Sequence, residues 1–176
     1  MTQTEFSIAG VGGQGSILAG VILGTAAVTY GGKYAVQTQA YSSQQRGGFA
    51  VTWVIISDQP VMFPRVTHPD VLVAQAQDSI NRFAHTLKAD GVLIVDSDMI
   101  PTPPEDIEQV FKVPATSIAR NRLKAPVTMN MVMLGALYKV TGVLSREALE
   151  KAIRDAVPQD KAQLNLDAFH LGFESV

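Results

Sequence analysis

Gly10, Gly12 and Gly15 in "AGVGGQGSILAG", residues 9 to 20, stand at the spacing G-x-G-x-x-G. Glycines so placed let a strand turn tightly into a helix and bring backbone N–H groups against a phosphate. A dinucleotide site also needs an Asp or Glu about 20 residues further on, to bind the ribose hydroxyls. Phe6 through Ser57 contains no Asp or Glu, and the next apolar stretch ends in Val36, Gln37, Thr38 and Gln39. A nicotinamide or flavin dinucleotide is disfavoured, although Lys33 leaves an opening for a phosphorylated ribose. The only charges in that stretch are Lys33 and Arg46, so the turn is locally cationic and suits some other anion at a helix N-terminus. Two readings stay open: a phosphate cradle, or glycines that merely let helix pack closely on strand. The triphosphate loop G-x-x-x-x-G-K-[ST] is absent.

"QQRGG", Gln44 to Gly48, sets Arg46 beside Gly47 and Gly48, where a guanidinium and bare backbone can approach a carboxylate or phosphate together. The alternative is an arginine that braces its own loop or a neighbouring subunit. His68, His85 and His170 are scattered without metal-ligand spacing. Ser42 and Ser43 lack the G-x-S-x-G elbow, and Asp96 with Asp98 reads as the end of a strand and not as an acid–base pair. Met129, Met131, Met133 and Trp53 read as core or interface filling. No complete catalytic constellation emerges.

These residues need elements to hold them. Glu5 to Ala9 is expected to be a buried strand and Ser16 to Thr29 a helix closed by Gly31 and Gly32. Tyr34 to Gln39 then completes a βαβ unit, which implies a partly parallel sheet. Ala40 to Gly48 reads as a loop, Phe49 to Ile56 as a central strand, and Val61 to Phe63 as its hairpin partner, which would make the sheet mixed. Further strands are expected at Asp70 to Ala74, Gly91 to Asp96 and, at an edge, Val113 to Ala115, with an amphipathic helix at Gln77 to Leu87. Pro104, Glu105 and Asp106 suit the first turn of a short helix. The remainder is helical: Thr128 to Thr141, Ser145 as N-cap of a helix to Ala156, and Asp160 to Gly172. The fold class is a single-domain, three-layer α/β/α sandwich with a mostly parallel, mixed sheet and a helical C-terminal part.

The totals narrow the function. The chain has 176 residues, enough for one well-buried core, and only 17% of them are charged against a usual share of about 25%. That deficit points to buried subunit contacts. A net charge of −2 gives no reason to expect nucleic acid or an acidic membrane. There is no cysteine, which removes disulfides and cysteine-held iron–sulfur clusters. The start lacks a secretory pattern, so a cytoplasmic location is expected. Ile17 to Val28 is shorter than the roughly 18 to 20 residues of a membrane span and reads as a helix buried on all sides.

"IAGVGGQGSILAGVILGTAA", "YSSQQRGGFAVTWVIISDQPV", "HPDVLVAQAQDS" and "NMVMLGALYKVTGVLSREALEKAI" follow one another here as in the gamma subunit of 2-oxoacid:ferredoxin oxidoreductases, which the chain resembles over nearly its whole length. The telling parts are G-x-G-G-Q-G at 10 to 15 and R-G-G at 46 to 48. The resemblance implies a subunit with no complete active site of its own, in a complex that converts pyruvate or 2-oxoglutarate with coenzyme A to an acyl-CoA and carbon dioxide, reducing ferredoxin. Thiamine diphosphate and Mg would belong to alpha and beta subunits, and clusters to a ferredoxin-like chain. The site residues implied are Gly12, Gly13, Gln14, Gly15, Ser16, Arg46, Gly47 and Gly48, contacting coenzyme A phosphates or docking on the thiamine-binding chain. The beta subunit of indolepyruvate oxidoreductase shares both glycine motifs and is the alternative; a stand-alone NAD(P)-binding reductase is a further one.

Overall fold

The computed structural model of the protein describes residues 3–43 and 47–176. Its strands are β1 (Gln3–Val11), β2 (Tyr34–Tyr41), β3 (Phe49–Ser57), β4 (Val71–Ala74), β5 (Val92–Asp96) and β6 (Gln109–Val113). They form one sheet in the order β2-β3-β1-β4-β5-β6. β3 is antiparallel to both β1 and β2, whereas β1, β4, β5 and β6 are parallel neighbours. All strands but β3 therefore share one direction.

The helices are α1 (Ser16–Thr25), α2 (Gln77–Phe83), α3 (Ala115–Ser117), α4 (Met129–Thr141), α5 (Arg146–Ala156) and α6 (Ala162–Glu174). α1 runs on as a π turn to Tyr30 and α3 as a π turn to Arg122. Alternation along each strand divides the core in two. Phe6, Ile8, Val54 and Ile94 meet Ile22, Leu23, Met133, Leu137, Leu149 and Phe169 of α1, α4, α5 and α6 on one face. Ala9, Val51, Leu72 and Leu93 meet Ile80 and Phe83 of α2 on the other. The expected three layers and mostly parallel sheet are present, and Met129, Met131 and Met133 are core residues.

Local signals placed the helix starts well: the Ser145 hydroxyl accepts the Ala148 N–H at 3.2 Å and caps α5. Other expectations need correction. Val61 to Phe63 is not a strand, and Met62 and Phe63 are exposed; both edges of β3 are already occupied by β1 and β2, so no hairpin partner can be added. The mixed character comes instead from β3, which inserts between β1 and β2, so the βαβ strands are parallel but not adjacent. The last strand is Gln109–Val113 and ends before Pro114, which has no N–H to donate. Glu105 and Asp106 form a turn without a helix, because Pro101, Pro103 and Pro104 precede them and β6 begins three residues after Asp106. Only residues 42, 43, 47 and 48 of the expected loop are described outside β2; Gln44, Gln45 and Arg46 lie outside the described residues. α1 is not buried all round: Leu18, Val21 and Val28 on it and its π extension are exposed. No helix among the described residues is long and apolar enough to cross a membrane.

Asp96 and Asp98 fasten the end of β5 to α3. Asp96 is fully buried; its Oδ1 accepts the N–H groups of Asp98 and Thr116, and its Oδ2 accepts the Thr116 hydroxyl at 2.5 Å. Burial pushes the Asp96 carboxyl up, and the Thr116 and Asp98 hydrogen bonds only partly oppose it. A pKa raised on folding favours the protonated form, so the stability this group contributes is present below its unfolded pKa and lost as pH rises through the folded one. Asp96→Asn keeps the shape and can donate to the Thr116 hydroxyl. It is expected to melt above wild type at neutral pH, with the gap narrowing towards about pH 4, near the unfolded carboxyl pKa. A gap of the same size at both pH values, in thermal unfolding followed by circular dichroism, would refute this account.

Candidate functional site

The sheet's carboxyl edge at β1 and β4 is where the connections diverge, since α1 covers one face and α2 the other. Open α/β sheets bind ligands at such a switch point. The glycine turn sits there, between β1 and α1. The Gln14 side chain folds back under it: its Oε1 accepts the Val11 N–H at 2.8 Å and its Nε2 donates to the Gln75 carbonyl at 3.1 Å. The Ser16 hydroxyl is buried and donates to Oε1 of Gln75, a buried residue just past β4. Gln75 Nε2 in turn meets the Met129 sulfur at 3.4 Å.

This polar knot explains two of the spaced glycines. A Cβ on Gly10 would lie 2.6 Å from Gln14 Oε1 and from Ser16 Oγ. On Gly15, which has φ +74°, a Cβ would lie 2.4 Å from Nδ2 of Asn130, the buried α4 residue that donates to the Gly15 carbonyl at 3.2 Å. Gly13 differs: its φ is +97° but nothing lies within 4 Å of its Cβ position, so it is needed for backbone conformation alone. The two glycine motifs meet, because the Gly12 N–H donates to the Gly48 carbonyl at 2.8 Å. Gly47 is exposed with φ +74°.

Seven of the eight expected site residues are thus gathered, and Arg46 lies outside the described residues. Their roles divide. The side chains of Gln14 and Ser16 serve the fold. The Gly12 and Gln14 N–H groups are bonded to Gly48 and Val11 carbonyls. Among the described residues no carbonyl outside the helix accepts the amides of Gly13, Gly15 or the first-turn residues Ser16 and Ile17, which leaves them open to an anion where the helix dipole adds partial positive charge. These residues line an open cavity of about 550 Å³ together with Tyr41, Ser42, Ser43, Gly48, Phe49 and Ala50, with no charged side chain among its described lining residues. On the far side of Gly13 and Gly15 a smaller cavity of about 270 Å³ is walled by Leu18, Val127, Asn130, Val157, Lys161 and Leu164. Sequence reasoning missed Gln75 and Asn130. Each had one faint signal, a polar residue directly following "VLVA" or standing inside "MNMVM".

The histidines behave as expected of isolated ones. His85 is exposed, His68 Nδ1 lies 3.2 Å from the Thr86 carbonyl, and His170 Nε2 meets Glu150 at 2.7 Å. Among the described residues no group of three or more His, Asp or Glu converges as metal ligands.

The pyruvate ferredoxin/flavodoxin oxidoreductase family profile matches residues 5–175, and the chain belongs to that family. It is similar to 2-oxoglutarate synthase subunit KorC of Methanocaldococcus jannaschii, with 46% identity over 97% of this chain and 92% of the relative. It is also similar to the KorC subunit of Methanothermobacter thermautotrophicus, with 44% identity over 98% and 94%. Among solved structures, the gamma subunit of a keto/oxoacid ferredoxin oxidoreductase from Geobacter sulfurreducens superimposes with a TM-score of 0.88 at 41% identity, over 98% of this chain and 97% of that one. Within the family, then, this chain is a gamma subunit of a 2-oxoacid:ferredoxin oxidoreductase, one part of an oxidoreductase complex.

Proposed function

We propose that the chain serves a cytoplasmic complex that oxidises 2-oxoglutarate, and that its glycine turn receives the phosphates of coenzyme A. The choice of 2-oxo acid is supported by identity: three KorC relatives stand at 44 to 46%, whereas pyruvate synthase subunit PorC of Methanothermobacter marburgensis stands at 31%, level with the KorC subunit of Archaeoglobus fulgidus. In the balanced reaction the acid and coenzyme A yield an acyl-CoA and carbon dioxide, and two electrons reduce two one-electron ferredoxins as a proton is released. Thiamine diphosphate with Mg, on alpha and beta subunits, supplies the carbanion chemistry of decarboxylation. With no cysteine, this chain has no thiolate to hold a cluster, so electrons leave through a ferredoxin-like partner chain and ferredoxin.

The observation that carries the coenzyme A reading is the set of amides at Gly13, Gly15, Ser16 and Ile17 with no acceptor outside the helix among the described residues, beside an acid-free cavity large enough for part of a nucleotide-bearing ligand. What this chain does is bind and orient, with Arg46 as the charged partner of a phosphate. In the assembled complex, Arg46→Ala is expected to raise the KM for coenzyme A by about 5- to 150-fold, the equivalent of one charge-assisted contact of about 1 to 3 kcal/mol. An unchanged KM with an intact complex removes Arg46 from the site. Loss of subunit association instead would favour docking of this turn on the thiamine-binding chain.

A further inference from the structure

The two edges of the sheet are built differently. β6 is short and carries Lys112, with Pro114 directly after it. Short, charged, proline-flanked edges discourage pairing with another chain. β2 has none of these devices. It spans Tyr34–Tyr41, pairs with β3 without a bulge, and holds no charged residue and no proline. Among the described residues no strand pairs with its outer edge, so the outward backbone N–H and C=O groups of β2 are open to a partner strand.

The groove beside this edge has no charged residue among its lining. Val21 and Val28 of the α1 segment are 40% and 54% exposed. With Gly24, Ala35 and Gln37 they line a groove of about 310 Å³ between α1 and β2. A Cβ at Gly24 would touch nothing within 4 Å, so the groove floor there is open. Tyr41, at the other end of β2, is 66% exposed and, two-residue periodicity considered, shares the sheet face of Ala35 and Gln37.

We propose that β2 pairs antiparallel with β2 of a second copy of this chain about a two-fold axis perpendicular to the sheet, joining two six-stranded sheets into one. Such an axis keeps faces matched, so opposed residue numbers must sum to an even value. The register centred on Thr38 opposes Thr38 to itself, Gln37 to Gln39 and Val36 to Ala40. It brings Tyr41 of each chain beside Ala35 of the other, at the mouth of the open groove. Within Tyr34–Tyr41 no charge is buried or opposed to a like charge, and a large side chain meets empty space. The pairing is self-complementary, as an isologous interface requires.

The absence of cysteine provides a direct test on the full chain. Opposed Cα atoms in antiparallel strands lie about 4.5 to 5.5 Å apart, within disulfide range. Thr38→Cys is expected to form a covalent dimer under mild oxidation, whereas Gln159→Cys, exposed in the turn before α6, remains uncrosslinked. Wild type is expected to sediment as a dimer at tens of micromolar. Thr38→Lys, which opposes two ammonium groups on the axis, is expected to weaken association by about 100-fold or more while keeping its circular dichroism spectrum. A monomeric wild type overturns the proposal. So does a Thr38→Cys chain that crosslinks no better than Gln159→Cys, or a β2 edge found pairing with a different subunit.

Discussion

Gly135→Ala is expected to lower the melting temperature by about 10 °C, from a stability loss of about 3 kcal/mol or more. The cause lies where α4 and α6 cross. A Cβ on Gly135 would sit 1.9 Å from the Phe169 carbonyl oxygen, and one on Gly172 would sit 1.9 Å from the Val132 carbonyl oxygen. Both obstacles are backbone, which no rotamer change can move aside. The helices would have to separate by more than an ångström, pulling Phe169 and Met133, both fully buried, from the core they share with Ile8 and Ile94. Alanine's better helix propensity returns only about 1 kcal/mol. Gly172→Ala should do the same from the opposite helix. Thermal unfolding checks both, and a wild-type melting temperature for either would show that the two helices do not cross in contact.

The size of that effect also shows what sequence reasoning reaches. "GVLIVD" announces a buried strand and Ser145 announces a cap, because each signal acts within a few residues. The position of β3 was not legible. Nothing in "FAVTWVIIS" records that β1 and β2 will stand on either side of it, and the same residues would suit a strand paired with its chain neighbour. The site divides along the same line. The glycine spacing and the missing carboxylate were visible, whereas Gln75 and Asn130 act on residues 59 and 115 positions away, so only the fold reveals them. Gln14 and Ser16 show the converse. Their types suited a ligand, and their side chains are taken up in holding the turn to β4.

Because the glycines of the turn differ in what they answer to, alanine at Gly13 and at Gly15 should separate binding from packing. Gly15→Ala combines a left-handed backbone with a collision against Asn130, whose side chain is held by the Gly15 carbonyl and accepts the Met131 N–H at 3.0 Å. Displacing a buried amide from both contacts and straining φ together are expected to cost about 3 kcal/mol or more. The wall shared by the two cavities would go with it, and the assembled complex should lose nearly all coenzyme A-dependent turnover. Gly13→Ala meets no atom, so only its φ of +97° resists, at about 1 to 2 kcal/mol. That variant should fold and assemble, yet carry a raised KM for coenzyme A, because relaxing the strain rotates the peptide that offers the Gly13 and neighbouring amides. A normal KM in a folded Gly13→Ala complex, alongside an inactive Gly15→Ala one, would mean that the turn matters only for packing α1 against β1 and α4.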